Sequence, residues 1–214
     1  MSAREEILTR VRGAIAGQAS SAEIPRHYRT TTDDDLNVFL DRLADYDATT
    51  HVVVPADLDE TVRATLNGRR MVAPAGLPET WLAGANAITD DPPLSHDDLD
   101  ASDGVLTTCA LAIAQTGTIV LDGGPGMGRR ALTLLPDYHL CVVSYEQIVA
   151  SVPEAIANVA HPTRPLTFVS GPSATVDIEM TRVRGVHGPR NLEVIVTKAP
   201  PTDPTDTAGT HEPT

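Results

Sequence analysis

From Asp33 onward, short runs rich in Val, Ile, Leu and Thr alternate with segments whose apolar residues recur every three or four positions. This alternation constrains the chain most, because strands separated by helices close most readily as crossovers onto a parallel or mixed sheet covered on both faces. Strands are expected at Thr49–Val54, Arg69–Ala73, Ala87–Thr89, Gly104–Cys109, Thr118–Leu121, Tyr138–Val143, Leu166–Val169 and Leu192–Val196. Helices are expected at Asp33–Asp45, Ala56–Leu66, Ser95–Ala101, Arg129–Leu134 and Asp177–Arg182, with one or two more in Tyr145–Ala160, broken at Pro153. Single helical turns are expected near Trp81 and over Ala110–Gln115. The run Tyr138–Val143 does not alternate, as expected of a strand buried on both faces. The predicted class is α/β, a mostly parallel sheet with helices on both faces.

The two ends read differently. Between Ser2 and Ala16 the apolar residues Ile7, Leu8, Val11 and Ile15 fall on one helical face, and Ser2 with Glu5 makes a capping box. Gly17–Thr32 is small, polar and interrupted by Pro25, so it reads as a linker. That helix therefore either docks separately or packs on a partner subunit. From Ala199 on, Pro, Thr, Asp and Gly leave nothing to bury, and the tail is expected to be disordered. The division is 1–32 as helix and linker, 33–198 as the α/β domain, and 199–214 as tail.

With aromatics at 3 %, the core is left to Val, Leu, Ile and Ala. A net charge of −13 argues against a nucleic-acid surface, which needs clustered Lys and Arg. Cys109 and Cys141 form neither a disulfide framework nor a metal set by spacing, and no cysteine set here can carry an iron–sulfur cluster. Buried, reduced thiols are the expected state. The first six residues are charged early and lack the apolar stretch of a signal peptide. No run approaches the about 18 apolar residues of a membrane span, so a cytoplasmic protein is expected.

Chemistry is most readily placed in Thr116–Leu134. A β-branched run stops at Asp122, four glycines and a proline follow within six residues, and Arg129 and Arg130 come next. Glycines let backbone approach a ligand, and paired guanidinium groups suit an anion. The candidates are Thr116, Gly117, Thr118, Gly124, Gly126, Gly128, Arg129 and Arg130. Neither a dinucleotide fingerprint nor a phosphate-loop pattern is satisfied. Two more glycine-bearing turns supply Ser170, Gly171, Ser173, Thr175 and Glu179, then His187 and Arg190. The three turns would converge on one crevice at strand carboxyl ends if their strands were neighbours. Tight turns needed only for chain geometry, or Ser173 or Thr175 as a helix cap, account for the same residues. Asp137, Tyr138 and His139 open a strand and could pair with one another or with Arg129 or Arg130. No catalytic triad, metal cluster or carboxylate pair stands out.

Ala112–Leu121, Gly128–His139, Ser170–Glu179 and Gly185–Arg190 together resemble the lactate-utilisation protein C family, also called the LUD domain. The resemblance implies a fold like that of ribose-5-phosphate isomerase, glucosamine-6-phosphate deaminase and the CoA transferases. It implies a non-redox role in bacterial oxidation of L-lactate to pyruvate, beside two partner proteins that carry the iron–sulfur clusters. No cofactor is then expected on this chain, and a small anionic ligand is. One departure is Gln115, where the family often has Glu; an amide cannot serve as a general base. The other reading is an independent enzyme or sensor for a phosphorylated, nucleotide or CoA-linked small molecule.

Overall fold

The computed structural model describes residues 2–16, 29–33, 35–176, 182–184 and 188–198. Its helices are α1 (Ala3–Ile15), α2 (Leu36–Asp45), α3 (Leu58–Leu66), α4 (Glu79–Leu82), α5 (His96–Asp100) and α6 (Val152–Asn158). Its strands are β1 (Thr49–Val53), β2 (Met71–Ala73), β3 (Ala87–Thr89), β4 (Gly104–Thr107), β5 (Leu111–Ile113) and β6 (Thr118–Leu121). Then come β7 (Tyr138–Ser144), β8 (Ile148–Val149), β9 (Thr167–Val169), β10 (Ala174–Val176), β11 (Arg182–Arg184) and β12 (Asn191–Thr197).

Among the described residues, β1, β12, β7, β4, β2 and β3 form a six-stranded sheet in that order, and every pairing in it is parallel. One face carries Met71, Leu106, Leu140, Val142 and Ile195 against Val62 and Leu66 of α3 and Trp81 of α4. The other carries Cys141, Val143, Leu192, Val194 and Val196 against Leu36, Phe39 and Leu43 of α2. Val105 and Val72 meet Leu99 of α5 and Leu132 beyond that helix's cover. The α/β class with helices on both faces is what the alternation predicted.

A second sheet was not predicted. It runs β8-β5-β6-β9, with β6 antiparallel to both β5 and β9. Its inner residues Ala112, Ile119 and Leu121 join the α2 core, so both sheets share one apolar interior. The outer face carries Leu111, Ile113 and Val120 under Ala155 of α6. Thr118–Leu121, expected beside the parallel strands, lies here instead. Ala110–Gln115 is strand β5 followed by a 3-10 turn at Ala114–Thr116, not a helical turn. Leu111, Ala112 and Ile113 are all buried, which removes the periodicity that tells strand from helix.

Three helix predictions change. Arg129–Leu134 contracts to a 3-10 turn at Arg130–Thr133, anchored by fully buried Leu132 and cut short before Pro136. Tyr145–Ala160 opens with a 3-10 turn and β8 before α6 begins. Pro153 sits in the first turn of α6, where its missing N–H costs nothing, and Ser151 caps the helix by accepting from the Glu154 N–H. Arg182, expected to be helical, lies in β11, antiparallel to β10. The rest of that predicted helix, 177–181, is outside the described residues, as are 17–28, 185–187 and 199–214.

Candidate functional site

The loop Asp122–Gly128 leaves β6 of the small sheet and lies across the carboxyl edge of the parallel one. The Gly126 N–H donates to the Ala75 carbonyl just beyond β2 at 2.7 Å, and its carbonyl accepts from the Thr108 N–H just beyond β4 at 2.8 Å. Gly126 has φ +76°, and a Cβ there would stand 2.5 Å from the Thr108 hydroxyl oxygen. Only glycine permits this crossing. Asp122, nearly buried, accepts from the Gly124 N–H at 2.9 Å and stands 3.5 Å from Arg164 Nη1.

Two openings flank the loop and share Gly123 and Gly128. One, about 330 Å³, is lined by Asp122, Arg130, Thr133, Arg164 and Thr167 among others. The other, about 480 Å³, is lined by Pro74, Ala75, Gly76, Asp90 and Pro125. Pro74 and Asp90 directly follow β2 and β3, so this is the strand-end crevice where ligands of open α/β sheets bind.

The two arginines part company here. Arg129 donates from Nε and Nη2 to the two oxygens of Asp90, at 2.8 and 2.9 Å, and from Nη2 to the Leu94 carbonyl at 2.6 Å. This hydrogen bonding holds the Asp90 carboxyl below its ordinary range. Arg129 thus ties the segment after β3 to the loop. Arg130 is exposed and lines the smaller opening with Arg164.

The other predicted residues are dispersed. Thr116 and Thr118 share a hydroxyl hydrogen bond of 2.7 Å, and Thr118 bonds the Ser170 hydroxyl at 2.8 Å. A Cβ on Gly117 would meet Arg42 at 2.6 Å, and one on Gly171 would meet Tyr46 at 2.5 Å. These five residues join α2 and its C-cap to the small sheet and do not line the crevice. Gln115, in the same stretch, accepts from Arg42 Nε through its carbonyl at 3.3 Å. The Ser173 N–H donates to the Pro189 carbonyl at 2.7 Å. Thr175 lies in strand β10. Glu179 and His187 lie outside the described residues.

Arg190 sits at the opposite edge, 3.1 Å from Asp137. It precedes β12 as Asp137 precedes β7, and a turn that enters a parallel strand lies across the sheet from one that leaves. Arg190 therefore lines neither opening at the loop, while the second and third turns meet at Ser173 and Pro189; 185–187 lie outside the described residues. At this amino edge a cleft of about 650 Å³ holds Tyr138, Glu193 and Arg69. Tyr138 Oη donates to Glu193 Oε2 at 2.7 Å, and His51 Nε2 stands 2.6 Å from Oε1. Burial, then Glu193, pushes the Tyr138 phenol well up. His139 is buried against the Thr107 hydroxyl at 2.7 Å, and burial lowers its pKa to about 4. Asp137, Tyr138 and His139 thus pair with Arg190, Glu193 and Thr107, not with Arg129 or Arg130.

Sequence reading missed Asp90, Arg164 and the Pro74–Gly76 segment. Each lies more than thirty residues from the loop along the chain, in text with no motif. Cys109 and Cys141 are free and buried side by side in the core, and Cys141, then burial, raises the Cys109 thiol.

A model of the LUD domain matches residues 26–197. This chain belongs to the LUD domain family. It is 48 % identical to "Lactate utilization protein C" of Deinococcus radiodurans, over 91 % of this chain and 95 % of that one. It is 32 % identical to a protein of the same name in Shouchella clausii, over 48 % of this chain and 47 % of the other. The crystal structure of a DUF162-family protein from Deinococcus radiodurans superimposes with TM-score 0.67 at 46 % identity, covering 76 % of this chain and 96 % of that one. The LUD match spans both sheets. Among the described residues, no helix is long and apolar enough to cross a membrane, and no three of His, Cys, Asp and Glu are grouped to hold a metal.

Proposed function

We propose that this LUD chain is the non-redox component of a bacterial system that oxidises L-lactate to pyruvate. Partner proteins would carry the iron–sulfur clusters, and this chain would seat a small anion at the loop. The observation that carries the reading is similarity along nearly the whole chain to a relative named for lactate utilization. The crevice supports the second half. Arg130 and Arg164 bring two guanidinium groups to one opening, and glycine backbone leaves room for a ligand. Asp122 stands 3.5 Å from Arg164 Nη1 and holds that guanidinium beside the opening.

Deletion of the gene in a strain without a second copy tests the first half. Growth on L-lactate should fail and return with the plasmid-borne gene, and the tagged protein should co-purify with cysteine-rich partners. Normal lactate growth of the deletion strain rejects this reading. A thermal-shift screen of lactate, pyruvate, sugar phosphates, nucleotides and CoA esters tests the second half. A ligand at about 100 times its dissociation constant adds about 2.7 kcal/mol of stability. The strand-end position of the crevice also supports an independent enzyme or sensor of phosphorylated, nucleotide or CoA-linked molecules. A hit from that group together with normal lactate growth selects this alternative.

A further inference from the structure

Among the described residues, the large hydrophobic side chains left exposed, apart from Val52, Val54 and Tyr145, fall on two surfaces. The first is α1, where Ile7, Val11 and Ile15 are 61, 49 and 55 % exposed and no residue is buried. Its capping box is formed in full, with the Ser2 hydroxyl on the Glu5 N–H and the Glu5 carboxylate on the Ser2 N–H. A helix of 13 residues is still marginal in water without something against its apolar stripe.

The second surface is the outer face of the small sheet. Phe168 of β9 is in register with Val120 and so points to the side that α6 covers, yet it is 47 % exposed. Helix α6 is only seven residues long and leaves Ile156 at 55 % exposure, with Val152 one turn before it. The chain that leads back from this face to α1 is pinned there, because the Ser151 hydroxyl at the start of α6 donates to the Thr30 carbonyl at 2.8 Å.

We propose that the outer face of the small sheet, beside α6, is the seat for α1 of a second copy of this chain. The connection from Ala16 to Arg29 reaches up to about 45 Å when extended, so it can carry α1 well beyond its own domain. In the structure α1 stands undocked while its own sheet face is also uncovered. Two copies that exchange α1 reciprocally cover both surfaces twice and close on a two-fold axis, so neither surface is left to recruit a third. The occupant is therefore complementary in kind, an apolar helix stripe on an apolar sheet face, and both come from one sequence.

The test is the solution mass of the full chain, measured by light scattering behind a sizing column. Wild type should run at twice the chain mass. Ile7→Glu with Val11→Glu, and separately Phe168→Glu, should each return it to the chain mass with unchanged far-ultraviolet circular dichroism. Mixing the helix variant with the sheet variant should restore part of the dimer, since one intact seat remains in each mixed pair. Should Phe168→Glu fail to fold, Ile156→Glu on the exposed flank of α6 replaces it. A monomeric wild type overturns the proposal, including one whose α1 amides exchange slowly because the helix docks on its own domain. A dimer that the helix variant breaks but Phe168→Glu and Ile156→Glu leave intact also overturns it, and points to helix-to-helix contact.

Discussion

Arg129 and Arg130 are adjacent in sequence, yet their truncation should have opposite consequences. Arg129→Ala removes two charge-assisted hydrogen bonds to Asp90 and one to the Leu94 carbonyl. Asp90 keeps only 9 % of its side chain in water, so its charge is left nearly buried and without its partner. Breaking a fully buried pair costs about 3–5 kcal/mol, and an exposed pair is worth about 0–1. Arg129 is 35 % exposed, which places the expected loss between these, at about 2–3 kcal/mol. For a chain of this size that is a fall in melting temperature of about 4–12 °C. Arg130→Ala, at an exposed position without these bonds, should stay within about 0.5 kcal/mol of wild type. Urea unfolding of both variants beside wild type reads the difference. The pH dependence gives a second check. The folded-state pKa of Asp90 lies below its ordinary 3.8, so the pair's contribution is complete above that value and is lost as pH falls below it. The cost of Arg129→Ala should therefore shrink in strong acid. Equal stability of the two variants, or a cost that does not shrink, refutes the assignment of Arg129 to Asp90.

Four further outcomes are expected. Gly126→Ala should cost about 2–3 kcal/mol in urea unfolding, because a left-handed backbone and the Thr108 hydroxyl both oppose a Cβ. Gly123→Ala, strained only by its φ of +70°, should cost about 1–2 kcal/mol. His139, with its pKa lowered by burial to about 4, stabilises the fold fully above its ordinary 6.5 and loses that contribution as pH falls toward 4. His139→Asn should flatten the stability profile across that window by about 3 kcal/mol, read from urea midpoints at each pH. Arg130→Ala with Arg164→Ala should weaken any crevice ligand found in the thermal screen by about tenfold or more, with calorimetric titration as the readout.

The sequence made one sheet legible and hid the other. β7 and β12 stand out as apolar runs between turn residues, and α2 and α3 show clean helical spacing, so a mostly parallel sheet with helices on both faces followed from pattern, though not its strand number or order. Strands β5 and β8, of three and two residues, are too short to carry a period, and their apolar text resembles a helix turn equally well. The candidate site was half legible. Glycine density marked the loop because its crossing demands left-handed backbone, as at Gly126 and Gly128. The partners of Arg129 and Asp122 were illegible, since Asp90 and Arg164 meet them only through tertiary folding. Thr116–Thr118 and Ser170–Gly171 misled for a related reason: tight packing against Arg42 and Tyr46 demands the same small residues that a ligand would.

The glycine loop belongs by connectivity to the small sheet and by its backbone hydrogen bonds at Gly126 to the large one. Occupancy of the proposed crevice would therefore be linked to mechanical coherence in this molecule. A ligand wedged against Gly123 and Gly128 would raise the work needed to part the sheets, and slower amide exchange in β5, a strand that lines neither opening, would report its arrival.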